Sequence, residues 1–116
     1  MKTLRVAVLH IPSSDTTYLT NYFSTNSAIV ATYYNNEEAV IDATNAQQYD
    51  LLVIDKNLEK SSIQKIEKLV DLIYPDAATV VMDYNESGFI QFKMDELIQK
   101  WKDSNTESHF KFHDGI

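Results

Sequence analysis

The stretch YDLLVID (49–55) constrains this chain most, because it is apolar almost throughout and closes on one carboxylate, Asp55. Successive strand side chains point to opposite faces, so a strand without polar alternation must be covered on both. LRVAVLHI (4–11) has the same continuous character and is rich in β-branched residues. AIVATYY (28–34) and AATVVMDY (77–84) read as two further strands.

Helical spacing fills the intervals. Pro12 and the Ser13-Ser14-Asp15 cluster end the first strand and offer a cap, and Tyr18, Leu19, Tyr22 and Phe23 then follow at helical spacing. Asn35 or Asn36 caps a second helix in EEAVIDATNAQQ, with Ala39, Val40 and Ala43 inward. In SSIQKIEKLVDLIY the residues Ile63, Ile66, Leu69, Val70 and Ile73 form one stripe, and Ser61 and Gln64 have capping-box spacing. Pro75 and Asp76 stop that helix. Strands alternating with helices imply a parallel sheet with helices on both faces, joined by right-handed crossovers.

After residue 84 the pattern changes. NESG (85–88) separates the fourth strand from FIQF (89–92), and four residues are too few for a parallel crossover. FIQF is therefore expected to return as an antiparallel strand, with Gly88 in the turn. MDELIQKW gives a last helix that turns Met94, Leu97, Ile98 and Trp101 inward. The tail ends in the alternating SHFKFH, suited to an edge strand or a loose end. His109 and His113 lie in it. The expected organisation is one domain over 1–103 and a C-terminal tail over 104–116.

Composition narrows the chemistry. Cysteine is absent, which excludes disulfides, thiolate metal sites and cysteine nucleophiles. Only Gly88 and Gly115 are glycines, too few for a dinucleotide fingerprint, a Walker loop or a nucleophile elbow. A net charge of −7, with lysines mixed among acids, argues against nucleic acid. Lys56, Lys60, Lys65 and Lys68 read as a solvated helix face, interleaved with Glu59, Glu67 and Asp71. No apolar run approaches the ~20 residues of a membrane span, and the N-terminus lacks a signal-peptide pattern, so a cytoplasmic location is expected.

NNEEAVIDATNAQQYDLLVIDKNL resembles the second helix and third strand of the receiver domain of bacterial two-component response regulators. RVAVLHI falls at that family's first strand, and DELIQKW looks like its last helix. The resemblance implies a three-layer α/β/α flavodoxin-like sandwich, mostly parallel, in strand order 2-1-3-4-5 with the last strand antiparallel. It makes Asp55 the equivalent of the phosphate acceptor. The family's metal-holding acidic pair is replaced by His10 and Ile11, its strand-four hydroxyl residue by Asp83, and its lysine falls near Ile90. The fourth helix is missing. A pseudo-receiver that retains the acceptor without its activation machinery is the expectation: no enzyme, no cofactor, a protein partner and possible homodimerisation.

In the 2-1-3-4 order, His10, Asp55 and Asp83 share the C-terminal crevice of the sheet. One imidazole and two carboxylates suit a divalent metal with open positions, hence metal-dependent phosphotransfer or hydrolysis, or else a small-ligand sensor. The structural alternative has Asp55 capping the following turn, His10 bonding to a carboxylate or to backbone, and Asp83 in solvent at the hairpin. Tyr33, Tyr34, Tyr84 and Phe89 are candidates for an aromatic partner patch.

Overall fold

The computed structural model describes residues 3–103. Four strands, β1 (Leu4–Leu9), β2 (Ile29–Tyr34), β3 (Leu51–Asp55) and β4 (Ala78–Met82), alternate with helices α1 (Thr17–Ser24), α2 (Glu37–Asn45), α3 (Lys60–Ile73) and α4 (Ser87–Asp103). The sheet runs β2-β1-β3-β4 and every pairing is parallel, with Leu4 opposite Ile29, Val6 opposite Leu51, and Asp55 opposite Met82.

The apolar runs form the centre of the sheet, as their lack of alternation requires. β3 is buried at every position, and β1 at all but Arg5. One face of the sheet packs on α1 and α4 through Val6, Val8, Leu19, Phe23, Val53, Val80, Met94 and Trp101. The opposite face packs on α2 and α3 through Ala7, Leu9, Val40, Ile54, Ile66 and Val70. Burying each of the large aliphatic side chains contributes about 2 kcal/mol. Three layers result, with α1 on one face and α2 and α3 on the other, the arrangement that crossovers of a single hand require in this strand order.

Helix starts follow local chemistry in part. Asn36 caps α2, its side chain accepting the Ala39 N–H at 2.8 Å. Asp15 accepts the Thr17 N–H at 3.0 Å at the start of α1. The capping box at Ser61 does not form: the N-cap falls two residues earlier, at Glu59, which makes no side-chain cap bond. At the end of α2, Gln47 takes φ 53°, and the Gln48 N–H reaches the Ala43 carbonyl at 3.0 Å, which satisfies the last turn without a glycine.

The segment FIQF corrects the sequence reading. It is the start of α4, not an antiparallel strand, and among the described residues the sheet has four strands instead of five. The physical reason is its phase. Ile90 stands four, seven, eight and eleven residues before the buried Met94, Leu97, Ile98 and Trp101, so one helix buries all five on one stripe. A strand would have divided that stripe. Gly88 lies in the first turn of α4, where an added Cβ meets nothing within 4 Å. The anticipated tail strand, with His109 and His113, lies outside the described residues. No described helix is long and apolar enough to cross a membrane.

Candidate functional site

Asp55 ends the central strand β3 and is 0% exposed. Its neighbours explain that burial. β1 and β4 flank it in the sheet, and the loop after β1 folds over its carboxylate. That loop turns at Ile11-Pro12-Ser13-Ser14, the Ser14 N–H reaching the Ile11 carbonyl at 3.0 Å. Proline at the second position presets this turn. Ser14 Oγ accepts the Ile11 N–H at 3.1 Å and donates to Asp55 Oδ2 in a short hydrogen bond. The other carboxylate oxygen, Oδ1, accepts the Asn57 N–H at 2.9 Å. Each oxygen thus accepts one hydrogen bond, and the residue is closed off from solvent.

Tyr84 closes the site from the α4 face. Its hydroxyl donates to the Leu9 carbonyl at 2.7 Å, and the Val53 carbonyl lies at 3.2 Å, so one phenol ties β1 to β3. Burial, and after it the charge of Asp55, pushes the Tyr84 phenol well above the ordinary tyrosine range. Tyr84 is therefore a core residue and not part of an aromatic patch with Phe89, which is exposed on α4.

His10 and Asp83 sit at the same end of the sheet but turn to other partners. His10 Nδ1 is 3.1 Å from the Ile11 carbonyl, and its ring meets Tyr33 edge-on at 6.4 Å. Asp83 Oδ1 accepts the Asn85 N–H at 3.0 Å. Its residue faces a shallow groove of about 310 Å³ lined by Lys56, Val81, Met82, Glu86 and Phe89. Among the described residues no three His, Asp or Glu side chains are placed to hold a metal ion. Ile90, where the receiver resemblance would seek a lysine, is buried in the core.

Ser14 and Tyr84 are the residues that sequence reasoning did not identify as contacts of this site. Asn57 had a legible signal: Asp55-Lys56-Asn57 has the Asp-x-Asn form of a side-chain-capped turn, and so does Asp83-Tyr84-Asn85. Ser14 had none, since its role depends on how the loop folds back 41 residues away in sequence.

The arrangement is a closed polar lock. A phosphoryl donor has no line to either oxygen of Asp55 while Ser14 and Asn57 hold them. Comparison with known proteins returned no match, neither to a family model nor to a curated protein or solved structure.

Proposed function

We propose that this chain is a pseudo-receiver-type module that works through protein contacts and not through turnover. The observation that supports it best is the state of Asp55: the residue that the receiver resemblance makes the phosphate acceptor is fully buried, with both oxygens hydrogen-bonded. A nucleophile needs an approach path and a free lone pair aligned with its target, and phosphoryl transfer needs a cation against the developing charge. The three-group ligand set that would hold such an ion is not assembled among the described residues. Exposed apolar side chains add support for a contact role, with Leu72 at 81% and Phe92 at 66% exposure on the outer helix faces.

The test has two arms. Incubation with acetyl phosphate and Mg²⁺, followed by intact-mass measurement, is expected to show no phosphoryl adduct. A photo-crosslinkable residue at position 92 is expected to capture protein, whereas one at buried position 55 is not. An acyl phosphate that disappears in Asp55→Asn would falsify the proposal and restore the phosphotransfer reading.

A further inference from the structure

Helix α3 carries two leucines that its buried stripe does not account for. Ile66 and Val70 are buried against the sheet. Leu72 follows Val70 by two residues, about 200° round the helix, and is 81% exposed. Leu69, which periodicity places on the inner stripe, is only half-buried. Both leucines line a groove of about 440 Å³ on the outer face of α3, together with Ser61, Gln64, Lys65 and Lys68. From Ser61 to Leu72 it follows the helix for about 16 Å.

The lining repeats one device. Lys65 stands four residues before Leu69, and Lys68 four before Leu72, so each ammonium lies one turn from an apolar side chain on the same face. Every polar residue of the lining is a hydrogen-bond donor and none is a carboxylate, although the chain carries a net charge of −7. Lys65 also pairs with Glu37 of α2, whereas Lys68 makes no ion pair among the described residues. The groove at Phe89 has the opposite balance, because Asp83 and Glu86 outnumber Lys56 there.

We propose that this face of α3 docks an acidic amphipathic helix of a partner protein. Two apolar side chains of that helix lie on Leu69 and Leu72, and two carboxylates one turn away meet Lys65 and Lys68. The ion pairs fix sign and register, and covering the leucines removes apolar surface from water. Charge selects this occupant over a polyanion. A nucleic acid or an anionic bilayer presents an extended negative field, which a net charge of −7 repels at long range. A short helix brings a few carboxylates to the two lysines alone. This inference rests on the protein-contact reading and names the face used and the chemistry of its partner.

Fluorescence anisotropy with labelled peptides and the full chain tests it. The probes are alanine-based helical peptides of about 16 residues, long enough to span the groove. Each carries two leucines three apart and two glutamates three apart, offset by one turn, and the two orders along the chain cover both directions of docking. One order is expected to bind at low salt with a Kd of about 100 μM. Leu72→Glu and Lys68→Glu, both at exposed positions, are each expected to weaken it at least tenfold. Peptides with lysine in place of glutamate are expected to bind at least tenfold more weakly, and Phe92→Glu on α4 to shift binding less than twofold. Circular dichroism checks that each variant is folded. No binding of either order at about 1 mM overturns the proposal, as does equal binding of the lysine peptides or equal sensitivity to Phe92→Glu. Cosedimentation with phosphatidylserine vesicles that Leu72→Glu abolishes also overturns it, by making this face a membrane surface. The mass measurement at Asp55 and the crosslinking at position 92 do not involve α3, so failed docking leaves those tests of the module reading intact.

Discussion

The ends of β3 and β4 carry the same local device in different surroundings. At each, an aspartate leaves the strand and accepts the N–H of an asparagine two residues on, at 2.9 Å for Asp55 and 3.0 Å for Asp83. Asp55 lies between two strands and under the Ser14 loop, and is sealed. Asp83 ends a strand that, among the described residues, is at the edge of the sheet, and it lines a groove. The turn is therefore a property of the Asp-x-Asn triplet, whereas burial and any chemical availability belong to the position in the sheet.

That contrast can be broken by substitution. Asp55→Ala leaves the half-buried Ser14 hydroxyl and Asn57 N–H without their acceptor and is expected to destabilise by about 2 kcal/mol. Asp83→Ala, in the same local turn, should cost less than about 0.5 kcal/mol, as surface changes usually do. Urea unfolding of both variants measures the difference, and equal losses would defeat the comparison. Ser14→Ala isolates the loop's share. It is expected to cost about 1–2 kcal/mol and to render Asp55 newly reactive to a carbodiimide, read by peptide mass mapping.

Tyr84 sharpens the comparison at high pH. Its folded pKa is raised, so the folded state holds the phenolic proton more tightly than the unfolded chain does. The associated stability is complete below the unfolded tyrosine pKa of about 10 and is lost as pH rises toward the folded value. Tyr49, pushed up to about 12 chiefly by burial, acts in the same direction. Wild-type urea midpoints are expected to fall above about pH 10 and to fall less steeply in Tyr84→Phe. Below that pH the same variant loses about 1 kcal/mol with its bonds to the strand carbonyls.

The smallest effect lies just beyond Asp83. Gly88 occupies the first turn of α4 with open space around it, so Gly88→Ala is expected to stabilise by about 0.5 kcal/mol. A hairpin turn with Gly88 at positive φ would give destabilisation instead. Thermal unfolding decides the sign.

Much of the architecture was legible from periodicity. The four parallel strands and the inner faces of α1, α2 and α3 follow from apolar runs and helical stripes that agree with one another. FIQF was misread because four residues rich in aromatic and branched side chains fit a short strand as well as a helix turn. The phase of Ile90 against Met94 and Trp101 was the signal that separated them. The candidate site was less legible. His10, Asp55 and Asp83 do lie at one end of the sheet, but each carries its own backbone partner, and strand order alone does not show where a side chain turns.

The sequence by itself determined the two Asp-x-Asn turns and the need for a sheet covered on both faces, because both depend on residues a few positions apart. Only the tertiary structure decided which aspartate is enclosed. That depends on β3 lying between β1 and β4 while β4, among the described residues, pairs with β3 alone, and on a serine 41 residues away in sequence closing over the carboxylate. Local chemistry is the same at both ends; the low-dielectric enclosure that separates them is made by packing across the whole fold.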